Sequence, residues 1–134
     1  MVSVEYGILR MLIVEDEQYT RQIIRALVQQ IGVRNIYEAS DGQSAMTELL
    51  RIRPHLVLCD VHMQPVGGLE FLKMVRTCGM VEVADTPIVL LTADAKTDTV
   101  LHAKEHAVSG YLVKPVSATQ LKLRIDAICG GKAL

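Results

Sequence analysis

Five short apolar runs punctuate this chain, and an amphipathic stretch follows each of them. "ILRMLIV" (Ile8 to Val14), "LVLC" (Leu56 to Cys59), "IVLL" (Ile88 to Leu91) and "YLV" (Tyr111 to Val113) are apolar with little alternation. That is the pattern of strands buried on both faces of a parallel sheet. "VRNIYEA" (Val33 to Ala39) is more polar and reads as a strand nearer an edge. After the first strand, Ile23, Ile24, Leu27, Val28 and Ile31 recur at helical steps, and Gly32 suits a C-terminal cap. The second helix starts at Asp41 as N-cap, carries Ala45, Met46, Leu49 and Leu50, and stops before Pro54. The third, Gly68 to Cys78, uses Leu69, Leu72 and Val75. The last, Ser117 to Cys129, uses Ala118, Leu121, Ile125 and Ile128. The fourth, Lys96 to Val108, has a thin apolar face of Val100, Leu101, Ala103 and Ala107, and is expected to be the loosest. Strict strand–helix alternation implies an α/β fold, a parallel sheet covered on both faces.

The bulk properties narrow the function. A chain of 134 residues, half of it hydrophobic and 22% charged, suits one folded domain (1–134, core about 8–129) with no repeat or linker. A net charge of −1 provides no electrostatic footprint for nucleic acid. No run approaches the roughly 20 apolar residues of a membrane span, and "MVSVEYGILR" does not read as a signal peptide. Cys59, Cys78 and Cys129 are too few and too scattered for a disulfide framework or a zinc site, so reduced thiols in the cytoplasm are expected. Met11, Met46, Met63, Met74 and Met80 read as core fillers. His102 and His106 are four apart on a helix and read as a solvated face rather than a metal clamp.

The informative residues stand where the strands stop. The first strand runs into Glu15 and Asp16, the third into Asp60, the fourth into Thr92 and the fifth into Lys114. In open α/β sheets ligands bind outside these carboxyl ends, at the point where strand order reverses. If the three acids lie about 5 Å apart, each pair costs roughly 3 kcal/mol at an effective dielectric of about 20. Three such pairs, about 10 kcal/mol, rival the stability of a whole domain. Lys114 supplies one compensating charge, and a divalent cation would supply two. Mg²⁺ fits best, because it takes one or two carboxylates, keeps waters and leaves room for a phosphate. A carboxylate, Mg²⁺, a lysine and a hydroxyl together suit phosphoryl transfer, with Asp60 as the nucleophile that forms an acyl phosphate.

"LIVEDE", "LVLCDVHM", "IVLLTAD" and "YLVKP" resemble the receiver domain of bacterial two-component response regulators, of the single-domain chemotaxis type. The resemblance covers nearly the whole chain. It implies a flavodoxin-like, doubly wound five-stranded sheet of order 2-1-3-4-5 with five helices. It assigns Glu15 and Asp16 as metal-binding acids, with Asp16 the more direct ligand, and Asp60 as the phospho-acceptor that also holds Mg²⁺. The backbone carbonyl of His62 completes the protein ligands. Thr92 and Lys114 would contact the phosphoryl group, and Thr92 with Tyr111 would form the switch. The side chains of His62 and Asp94 would tune the lifetime of the acyl phosphate. The implied partners are a histidine kinase or histidine phosphotransfer protein upstream. Downstream is a protein target on the face of the fourth helix, fifth strand and fifth helix. No direct nucleic-acid or membrane contact is implied. The chain would not be an enzyme beyond its own phosphorylation and dephosphorylation.

One loop departs from the family pattern: in "MQPVGGLE", Gln64 stands at the usual proline position, Pro65 follows one place later, and Gly67 replaces the usual acid. Lys114–Pro115 belongs to a bond that is often cis in the family. Two alternatives stay open: a receiver cut from a hybrid kinase or DNA-binding regulator, and, less favoured, a small aspartate-nucleophile phosphatase. The phosphatase normally needs a second acid two residues after the nucleophile, where this chain has His62.

Overall fold

The structure, a computed structural model, describes residues 4–93 and 97–130. Five parallel strands form one sheet: β1 (Arg10–Val14), β2 (Asn35–Ala39), β3 (Leu56–Asp60), β4 (Ile88–Thr92) and β5 (Gly110–Val113). Their order is β2-β1-β3-β4-β5, so the chain reverses its direction of travel between β1 and β3. Among the described residues the helices are α1 (Gln18–Ile31), α2 (Gly42–Ile52), α3 (Gly68–Arg76), α4 (Val81–Ala84), α5 (Thr97–Glu105) and α6 (Ala118–Cys129). This is the doubly wound, flavodoxin-like arrangement.

Successive side chains on a strand point to opposite faces, and the core divides accordingly. Leu12, Val14, Val57, Cys59 and Leu90 face Ala45 and Leu49 of α2 and Phe71, Leu72 and Val75 of α3. Met11, Ile13, Leu58, Val89 and Leu91 face Ile24 and Val28 of α1 and Leu121, Ile125 and Cys129 of α6. Helix starts and stops follow the sequence signals. Asp41 caps α2 by accepting from the Ser44 amide at 2.8 Å, and Ser117 caps α6 in the same way. Gly32 ends α1 at φ 120°, a conformation open to glycine.

Several expectations need correction. A 3₁₀ turn (Tyr6–Ile8) precedes β1, so Ile8 is exposed and the strand starts at Arg10. The run at Tyr111 to Val113 is not buried on both faces: β5 is an edge strand, and Val113 is 40% exposed. Helix α4 was not foreseen, because one turn carries too few residues to show a period. Met74 on α3 and Met80 at the start of α4 lie on the surface rather than in the core, and Leu101 and Leu50 are also exposed. Of the described side chains of α5, only Ala103 is fully buried, in keeping with its thin apolar face.

Candidate functional site

Parallel pairing brings the polar strand ends together. The Glu15 amide donates to the Ala39 carbonyl at 3.1 Å, the Val61 amide to Leu91 at 2.9 Å, and the Lys114 amide to Thr92 at 2.7 Å. These bonds continue the ladders one residue past each strand and fix the backbones beneath Glu15, Asp60, Thr92 and Lys114. Glu15, Asp60 and Thr92 are buried, whereas Asp16 is exposed. The five residues therefore form the floor and rim of one crevice.

One carboxylate oxygen from each of Glu15, Asp16 and Asp60 lies within 4.8 Å of the others. The spacing is that on which the repulsion argument rests. Lys114 answers part of it: its ammonium is 2.7 Å from Glu15 Oε1 and 3.1 Å from Asp60 Oδ1. Burial pulls that ammonium down, and hydrogen bonds to Glu15 and Asp60 with the fields of both outweigh it, leaving it raised. Asp16 is also raised, first by desolvation and then by its hydrogen bond with Glu15 and that group's field. One ammonium thus leaves the cluster with excess negative charge, which suits a hard cation with oxygen ligands. The donors fit Mg²⁺ in type and spacing.

Arg21 was not anticipated. Its Nη1 donates to the Glu15 carbonyl at 2.7 Å, while its Nε pairs with Glu38 at 2.7 Å. The guanidinium thus holds the turn from which Glu15 and Asp16 project. Its position in the first turns of α1 is the signal that was available.

His62 is exposed on the loop after β3, and Tyr111 is half-buried against the core under α5. Thr92, Tyr111, Val61, Leu90, Val100 and Ala103 surround a small void of about 10 Å³. Asp94 lies outside the described residues. Ile23, read as a core position, is 45% exposed and lines an apolar groove of about 360 Å³ with Ile24, Lys114, Pro115 and Val116.

The unusual loop has a geometric reason for its glycines. A Cβ on Gly68 would lie 2.2 Å from the Asp60 carbonyl oxygen, and one on Gly67 would lie 3.0 Å from that of Val61. The chain turns directly over the backbone of Asp60 and Val61. Both Gln64–Pro65 and Lys114–Pro115 are cis. Cys59, beside Asp60, is fully buried. Desolvation, followed by the fields of Asp60 and Glu15, holds its thiol well above the ordinary range, so it packs as a hydrophobe.

Residues 11–126 match the family of the response regulator receiver domain. Chemotaxis protein CheY-3 of Vibrio cholerae is 33% identical over 120 residues, covering 90% of this chain and 91% of that protein. Chemotaxis protein CheY of Pseudomonas aeruginosa is equally identical, with 95% of its length covered. The structure of Vibrio cholerae CheY4 superposes with a TM-score of 0.81 at 28% identity, covering 90% of this chain and 98% of that one. Receiver domains are signal transducers of two-component systems, working between histidine kinases and downstream targets. With this fold, this crevice and a match over nearly its whole length, the chain belongs to the response regulator receiver family.

Proposed function

We propose that Asp60 accepts a phosphoryl group from a histidine kinase or histidine phosphotransfer protein and that the acyl phosphate shifts affinity for a protein target. The observation that carries this reading is the joint placement of Asp60 with Glu15, Asp16 and Lys114 at the β1–β3 crevice. An Asp60 carboxylate oxygen attacks phosphorus, a P–O bond forms, the donor's P–N bond breaks, and its electron pair returns to the imidazole. Glu15, Asp16, Asp60 and the His62 carbonyl are the groups that would hold Mg²⁺. When bound, the ion would neutralise charge on the transferring oxygens. Lys114 and the Thr92 hydroxyl take the remaining phosphoryl oxygens. Hydrolysis by water returns Asp60 and inorganic phosphate, at a rate set partly by His62 and Asp94.

The output follows from Thr92 and Tyr111. Drawing Thr92 toward the phosphoryl group frees space beside the void that both residues line, and Tyr111 turns inward. Helix α5, of whose described side chains only Ala103 is fully buried, shifts with it. The partner face is therefore α5, β5 and α6, where Leu101, Val113 and Leu123 are exposed. The same reading takes the chain as a single cytoplasmic domain that does not bind nucleic acid. Its three cysteines, none of them in a disulfide, and its net charge of −1 support this. No helix among the described residues is long and apolar enough to cross a membrane.

The test is phosphorylation by acetyl phosphate. Wild type with Mg²⁺ should take up one hydroxylamine-sensitive phosphoryl group, and Asp60→Asn or excess EDTA should abolish it. Equal labelling of Asp60→Asn would reject the assignment.

A further inference from the structure

Backbone hydrogen bonds tie the loop Val61–Gly67 to β4, back onto itself, to α3 through the Phe71 amide and the Gly67 carbonyl at 3.0 Å, and to α2. The Val61 amide joins it to β4, and the Gly68 amide closes it onto the Val61 carbonyl at 2.9 Å. The Gly42 amide, at the first position of α2, donates to the Val66 carbonyl at 2.9 Å. An amide of a first helical turn has no partner within its own helix, so this one is available to the loop. Gly42 is buried, and the Val66 side chain fills the place a side chain there would take. A Cβ on Gly42 would lie 2.5 Å from Val66 Cγ1 and 3.1 Å from the Cβ atoms of Val66 and Phe71. Asp41 locks the helix start with a capping box to Ser44, so Gly42 is the fixed side of the contact and the loop is the movable one.

We infer that Gly42 and Val66 form a positioning contact that sets the height of this loop over Asp60, and thereby the affinity of the acidic cluster for Mg²⁺, although neither residue touches the cluster. The inference rests on the proposed metal reading, in which the His62 carbonyl of the same loop is a ligand. The Gly68–Val61 bond closes the loop into a ring, so a displacement at Val66 is carried to His62. Groups that orient a metal ligand typically alter affinity by about 10- to 100-fold when lost.

Calorimetric Mg²⁺ titration of a mutant cycle tests this. Gly42→Ala should weaken Mg²⁺ binding by about tenfold, and Val66→Ala alone should change it less. Gly42→Ala with Val66→Ala, which removes Cγ1 from the added methyl, should recover most of the loss. Thermal melts on the same samples separate folding from affinity. A lower melting temperature with unchanged Mg²⁺ affinity in Gly42→Ala would reduce the contact to packing and overturn the inference, as would failure of Val66→Ala to rescue. A second measurement needs no substitution. By reciprocity, saturating Mg²⁺ must slow hydrogen exchange at the Gly42 amide of wild type, and unchanged exchange there also overturns the inference. Wild type that binds no Mg²⁺ at all would instead reject the metal reading beneath it.

Discussion

Lys114 and Glu15 are 99 positions apart in the chain, yet the ammonium of one lies 2.7 Å from a carboxylate oxygen of the other. The same ammonium reaches Asp60 at 3.1 Å, so one lysine holds two acids that a metal ion would also claim. Its charge and the cation's compete for the same oxygens. Lys114→Met should therefore raise Mg²⁺ affinity several-fold, about 1 kcal/mol. It should also reduce phosphorylation, because the phosphoryl group loses its fixed cation. Titration calorimetry checks the first effect. Weaker Mg²⁺ binding would mean that the lysine positions the acids rather than competing for them.

The two acids after β1 differ in setting, and their substitutions should differ too. Asp16 is exposed at the crevice mouth, and partial desolvation, followed by its hydrogen bond with Glu15 and that group's charge, raises its pKa. Glu15 is buried, bonded to Lys114 and 3.4 Å from the Glu17 amide. Asp16→Asn should weaken Mg²⁺ by an order of magnitude or more, about the scale of a lost charged ligand, and nearly stop phosphorylation. Glu15→Gln should be milder. Equal Mg²⁺ affinity in Asp16→Asn and wild type would show that the ion binds elsewhere.

The switch prediction concerns α5, β5 and α6. Hydrogen exchange with and without beryllofluoride should differ most in these elements and around Thr92. Differences confined to α2, which packs on the same face as α5 but away from β5, would remove the output surface from α5, β5 and α6.

Much of this arrangement could be read from the chain because burial and chemistry coincide there. Apolar runs locate β1, β3 and β4, and a charged or hydroxyl residue at the end of each locates the crevice. The sequence is less informative where position depends on the neighbours an element has. The run at Tyr111 to Val113 resembles a buried strand, but as an edge strand it keeps Val113 in solvent. Met74 and Met80 look like core fillers, yet Met74 lies on the exposed face of α3 and Met80 precedes the one-turn α4, which is too short to leave a pattern. The contact between Gly42 and Val66 joins a helix start to a distant loop. A glycine after an aspartate shows only that a turn or cap is possible there, not what fills the space beside it.

The amino-terminal turn should make stability sensitive to acid. Tyr6 donates its hydroxyl to Asp126 on α6, and Lys122 lies 2.8 Å from the other carboxylate oxygen. Lys122 first, then Tyr6, hold the Asp126 carboxyl below its ordinary range. A group depressed in the folded state adds stability above its unfolded pKa, near 3.9, and that stability is lost as pH falls through the folded value. The pair is partly exposed, so the contribution should not exceed about 1 kcal/mol. Denaturant unfolding of wild type should begin to lose this increment as pH falls below about 5 and lose it fully only below the depressed folded value, whereas Asp126→Asn should lack it throughout. Identical pH slopes would remove the Asp126 contact from the stability account.

The most direct measurement is the chemical identity of the phosphorylated residue. After acetyl phosphate and Mg²⁺, borohydride reduces an aspartyl phosphate to homoserine, which tandem mass spectrometry locates in the peptide. The account predicts homoserine at position 60 alone, with none formed when Mg²⁺ is withheld. Homoserine at position 16, or a phosphoryl group on His62 with position 60 unmodified, would contradict it.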